Sequence, residues 1–374
     1  MTKTRLKGIG MLVGMIFGAG VFALPFAVLK AGIFWGSLHF ILALLIMIFL
    51  HLWYGEIAYC VPGNNRFTGY VAMFLGNKAK WFAFLITVLT YYGALLVYGL
   101  LGGIFLANFF PLSPITLSLS VFVIGGILVF LHFEKLAGIN FFLTVLLLGF
   151  VVLLLIIAFS YIKISNFDFA NFNFSFSGDW FLPYGIWLFS LAGFAVLPEM
   201  RDMFIGATIK NFKRSILAGI LICAVFYLIF IFTIIGVSGK MTTSDSLTGL
   251  AKVLGTPALV AGSLLGFLVV FTSFIALGAD LKNIFRYDFH FPPWLAWLSV
   301  VVPPIFLFLT GAENFTRILG ITGSIGLGLM GILIILMTRK LRRERGDYER
   351  FSKIKLIAGG LLMAGIIAAV ISEF

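Results

Sequence analysis

The sequence predicts an all-α integral membrane protein. It reads as eleven transmembrane helices, two sets of five inverted relative to each other plus one added helix. Three observations predict this. Of 374 residues, 61% are hydrophobic and only 11% charged, whereas soluble domains average about 25% charged residues. The polar surface is too small to coat a particle in water. Next, the basic residues alternate in density from one inter-span link to the next, as the positive-inside rule requires. Finally, two apolar spans are broken by glycine at matching places in the two halves, around Gly18–Gly20 and around Gly193.

A span needs about 20 apolar residues. Segments of that kind fall near 8–29, 36–60, 81–109, 115–132, 140–162, 180–200, 214–237, 254–284, 293–311, 316–338 and 354–372. Lys3, Arg5 and Lys7 before the first span imitate a secretory signal. The apolar run that follows is too long for one and has no small-residue cleavage site, so it reads as a retained helix. With the N-terminus cytoplasmic, 21 of the 26 Lys and Arg residues fall on inner segments, the densest being Arg339–Arg345. The C-terminus then lies outside. The net charge of +12 is thus a topology signal plus attraction to anionic lipid heads, and no nucleic acid partner is implied.

Spans one to five start inside and spans six to ten start outside. The chain divides into a first repeat at 8–165, a second at 178–340 and an added helix at 353–374. Span one then corresponds to span six, and those are the two broken spans. A break at membrane depth exposes backbone polar groups, which must face protein or a watery cavity. Paired breaks mark the binding site of a secondary transporter. Gly tolerates the non-helical angles such a break needs. The Phe-rich link at 166–178 reads as a short extended segment without catalytic content.

Three motifs resemble a known family. Gly18-Ala19-Gly20-Val21-Phe22-Ala23-Leu24-Pro25 is similar to the G-A-G-I-x-x-L-P signature of the amino acid/auxin permease family, within the amino acid–polyamine–organocation superfamily. Tyr54-Gly55-Glu56-Ile57-Ala58, followed by Pro62-Gly63-Asn64, resembles the second-to-third span segment of that superfamily. Phe194-Ala195-Val196-Leu197-Pro198-Glu199 resembles the family's sixth span, with Leu197 where many relatives carry His. The resemblance implies a leucine-transporter-type fold and symport of an amino acid, neutral or aromatic, with Na⁺ or H⁺ and no further cofactor. It implies that backbone around Ala19, Gly20 and Val21 holds the substrate carboxylate. Carbonyls around Ser190, Leu191 and Ala192 would take the amino group, with Gly18 and Gly193 at the two breaks as further site residues, and Phe194 could cover the side chain.

Other residues carry two readings each. Tyr91 and Tyr92 lie mid-span in span three, as substrate contacts or as plain core. Val269, Thr272 and Ser273 in span eight resemble one arm of a Na⁺ site, although hydroxyls in such helices often bond their own backbone. A related proton-coupled subfamily has a Lys within span five, absent here, which favours Na⁺. Glu56 is either a structural acid paired with cytoplasmic bases or a gating or proton-transfer group. His39, His51, His132 and His290 are scattered and read as packed or interfacial. Cys60 and Cys223 support no disulfide framework or metal motif. No catalytic set appears, which argues against an enzyme. A sensor of the same fold that binds an amino acid without moving it is the competing reading. The partners implied are the amino acid and the lipid bilayer, in a cell membrane.

Overall fold

The computed structural model describes residues 2–61, 63, 65–131, 136–167, 179–346 and 353–373. The Phe-rich stretch 168–178, Pro62, Asn64 and His132 lie outside the described residues. An apolar chain in hydrocarbon must satisfy its backbone within each segment, and helix does so. The described elements are accordingly helical: α1 (Thr2–Ile16), α2 (Gly20–Ala31), α3 (Ile33–Cys60), α4 (Phe67–Leu75), α5 (Asn77–Leu106), α6 (Pro114–Leu131), α7 (Leu136–Ala158), α8 (Leu182–Ser190), α9 (Leu197–Asp202), α10 (Ile209–Ser238), α11 (Leu247–Leu254), α12 (Thr256–Asn283), α13 (Pro293–Leu309), α14 (Phe315–Ile321), α15 (Gly328–Glu344) and α16 (Lys353–Glu373).

Among the described residues, nine helical segments are long and apolar enough to cross a bilayer, and the bent pair α1–α2 makes a tenth. The expected ninth span falls short. Helix α13 has 17 residues with Pro303 and Pro304 inside it. At 1.5 Å per residue that is about 25 Å, less than a bilayer core of about 30 Å. Two helices expected to follow α10 and α3 directly are preceded by short ones, α11 and α4, which the span count places in links. The turn into α12 runs through Gly255, whose φ of +82° suits a residue without a Cβ.

Both glycine breaks are present. The axes of α1 and α2 differ by 57° across Phe17–Ala19. Helix α8 stops at Ser190, and a 3₁₀ turn at Phe194–Val196 leads into α9. Helix α2 packs on α8, α1 on α10, and α5 on α12. The broken helices are therefore central, and their break residues Phe17, Ala19 and Leu191 are fully buried. Outward-facing side chains such as Leu45, Leu89, Ile127 and Ile156 are half or more exposed, as faces covered by lipid tails require.

Candidate functional site

The two breaks meet where glycine lets backbones touch. A Cβ on Gly20 would collide with Ser190, and one on Gly193 would come within 2.5 Å of Ile16 and 3.0 Å of Leu12. A cavity lies beside them, with an empty volume of about 600 Å³ that includes open solvent. Its wall contains Gly18, Gly20, Ser190, Ala192, Gly193 and Phe194 from the breaks. Helix α5 adds Thr90, Tyr91, Ala94 and Tyr98. Met15, Ile16, Phe189, Leu277, Leu327 and Met330 complete an apolar and aromatic lining.

Helix polarity gives this cavity two signs. Helices α1 and α8 end at the breaks, so their last carbonyls carry partial negative charge. Helix α2 begins at Gly20, so its first N–H groups carry partial positive charge. One wall therefore suits an ammonium group and another a carboxylate.

Side chains from neighbouring helices hold the breaks in shape. His51 on α3 is fully buried. Its Nδ1 bonds the Met47 carbonyl at 2.7 Å, and its Nε2 accepts from the Gly193 N–H at 3.0 Å. Those two bonds assign the neutral ring with its proton on Nδ1. The hydroxyl of Tyr227 on α10 lies 2.9 Å from the carbonyls of both Ile16 and Ser190. Neither residue stood out in the sequence, where a His or Tyr in an apolar run looks like core. The available signal was that a buried polar tip needs a partner.

The expected site residues divide. Gly18, Gly20, Ser190, Ala192, Gly193, Phe194 and Tyr91 line the cavity. Ala19, Val21 and Leu191 are buried beside it, where only their backbone can serve. Tyr92 requires a correction. One residue along a helix turns the side chain by about 100°, and its hydroxyl instead donates to Ser299 on α13 at 2.5 Å.

The span-eight oxygens sit opposite the first break. The Thr272 hydroxyl is 2.9 Å from the Leu268 carbonyl and 3.0 Å from that of Val269. A Cβ built on Gly18 would lie 3.6 Å from the Tyr98 hydroxyl and 3.8 Å from Ser273 Oγ. Thr272 thus bonds carbonyls of its own helix, while the Ser273 and Tyr98 hydroxyls face Gly18. Among the described residues no group of three or more His, Cys, Asp or Glu could hold a metal ion.

Two ion-pair groups lie at the end where α3 finishes and α5 begins. Glu56 binds Lys213 at 2.6 Å and Arg342 at 3.1 Å, joining α3, α10 and α15. Arg66, in the link before α4, reaches Glu199 on α9 at 3.0 Å and Asp280 on α12 at 3.5 Å. Burial opposes the Arg66 charge, but Asp280 and Glu199 outweigh it and raise its pKa above the ordinary value. Tyr91, in the cavity wall, donates to Asp280 at 3.0 Å.

A profile of the tryptophan/tyrosine permease family matches residues 1–372. The chain belongs to the tryptophan/tyrosine permease family. It is a multi-pass membrane transporter of amino acids and not an enzyme. No curated protein matches this permease by sequence. Its fold is shared with solved transporters of low identity. MhsT in complex with L-phenylalanine is 16% identical, with a TM-score of 0.67, covering 99% of this permease and 98% of that chain. A Na⁺-coupled sialic acid symporter, substrate-bound and outward-open, gives 15%, 0.64, 98% and 89%. Mhp1, a nucleobase-cation-symport-1 family transporter in a closed conformation with bromovinylhydantoin bound, gives 13%, 0.66, 99% and 91%.

Proposed function

We propose that this permease carries aromatic amino acids across a cell membrane by symport with Na⁺. The observation that supports it best is the meeting of two helix breaks, with ends of opposite sign, on one apolar cavity. The carboxylate sits on the backbone at Gly18–Val21, the ammonium on carbonyls of Ser190–Ala192 and the ring against Phe194, Tyr91 and Tyr98. Aromatic and methionine walls favour a flat apolar ring. The family name and the phenylalanine held by MhsT support the same substrate class.

The Na⁺ site is the oxygen set of Val269, Thr272 and Ser273 against the first break. Its hard-oxygen chemistry supports it, as does the Na⁺ coupling of the sialic acid symporter. Glu56, with two basic partners, acts as a structural acid. The topology is eleven spans, with α13 as a short ninth. Five-span repeats at 8–165 and 178–340 are inverted, and 353–374 is appended. The N-terminus is cytoplasmic and the C-terminus external. On this reading the permease is a member of the amino acid–polyamine–organocation superfamily, which the resemblance of its Gly18–Pro25 segment supports.

The test is uptake of a labelled amino-acid panel into proteoliposomes under separate Na⁺ and pH gradients. Tryptophan, tyrosine and phenylalanine should accumulate with Na⁺, and small polar amino acids should not. Accumulation that follows only the pH gradient would replace Na⁺ by H⁺.

A further inference from the structure

Tyr227 stands behind the cavity wall and outside the cavity. It is fully buried on α10. Its ring lies 4.8 Å from that of Phe17, in the first break, and 6.4 Å from that of Trp187, on α8. Its hydroxyl is 2.9 Å from the Ile16 carbonyl and 2.9 Å from the Ser190 carbonyl. These are the last residues of α1 and α8.

Two helix C-termini facing each other carry like partial charges and leave carbonyls without partners. A single phenolic O–H, shared between both oxygens, supplies the missing donor. It also fixes the direction of each carbonyl. A carbonyl oxygen has two lone pairs, so each keeps one for a second donor. Ile16 and Ser190 both also line the cavity, which is where that second donor would come from.

We propose that Tyr227 is the positioning residue for the substrate's ammonium group. It holds the Ile16 and Ser190 carbonyls at a fixed angle from behind, so that their free lone pairs converge on the ammonium in front. It touches no substrate itself. This rests on the reading that the Ser190 carbonyl takes the amino group. Loss of the hydroxyl must then weaken ligands that carry an ammonium group and spare those that lack one.

The experiment is competition against labelled L-tryptophan in proteoliposomes, using unlabelled L-tryptophan and indole-3-propionate. The second has the same ring and carboxylate but no amino group. Wild type should prefer tryptophan by tenfold or more. In Tyr227→Phe, tryptophan affinity should fall about tenfold, while that of indole-3-propionate should change less than threefold. Equal weakening of both ligands, or no change in either, would overturn the proposal. Tyr227→Leu also lacks the donor, and the ratio is read in each variant that folds. If neither variant reaches the membrane, the hydroxyl is structural and the proposal fails. A wild type that binds both ligands alike would instead refute the amino-group site itself, whatever Tyr227 does.

Discussion

Gly20 and Gly193 are the break positions where one added carbon meets the other broken helix. Each would press a Cβ into the opposite broken helix. Gly20→Val and Gly193→Val should each lower uptake of tryptophan at least tenfold, with protein still present in the membrane fraction. Normal uptake by both variants would remove the cavity from the transport path. Adjacent Tyr91 and Tyr92 allow a sharper comparison. Tyr92→Phe loses one bond to Ser299, distant from the cavity, and should transport within about twofold of wild type. Tyr91→Phe removes a cavity hydroxyl and its bond to Asp280, and should raise KM severalfold. The break glycines were legible in the sequence because glycine weakens a helix and frees its backbone angles, and these lie mid-span just before a proline. The choice between Tyr91 and Tyr92 was not, because span three is apolar all round and its periodicity names no inner face. Tyr227 and His51 were hidden for a related reason, since their roles depend on backbone groups that sequence does not reveal.

At the scale of elements, the ion pairs join parts that a transport cycle must separate. Arg66 ties α9, the half-helix after the second break, to α12 through Glu199 and Asp280. Arg66→Gln should release that end and speed thiol labelling of a cysteine placed at Ala94 severalfold, measured with a reagent added on the N-terminal side. Unchanged labelling would mean that this cluster does not gate the cavity. Glu56 has a different task. Glu56→Gln leaves Lys213 and Arg342 without their shared carboxylate and should cost about 2 kcal/mol, seen as a melting temperature lowered by several degrees. Helix existence was legible from apolar length alone, and the broken helices from glycine and proline within them. The short helices α4 and α11 were not, because so brief an apolar stretch in a link resembles the frayed end of a span. The shortness of α13 was nearly legible, since the expected span 293–311 exceeds it by only Thr310 and Gly311.

At the scale of the molecule, the asymmetric placement of 26 basic residues supports the proposed orientation of the chain. Cysteines at Lys210 and Lys240, exposed at opposite ends of α10, should label from opposite sides of the membrane. Labelling of both from one side would contradict α10 as a membrane span. The coupling ion was the least legible feature. Hydroxyls in an apolar helix bond their own backbone as readily as an ion, as Thr272 does with Leu268 and Val269, and the proposed partners in the first break are distant in sequence. As proposed, the cavity between the breaks moves an aromatic amino acid uphill on a Na⁺ gradient. The direct test is accumulation of labelled L-tryptophan in proteoliposomes with an inward Na⁺ gradient at equal pH on both sides. An overshoot above equilibrium is expected, and it should disappear when K⁺ replaces Na⁺. Saturable binding without accumulation, or accumulation unaffected by the replacement, would contradict it.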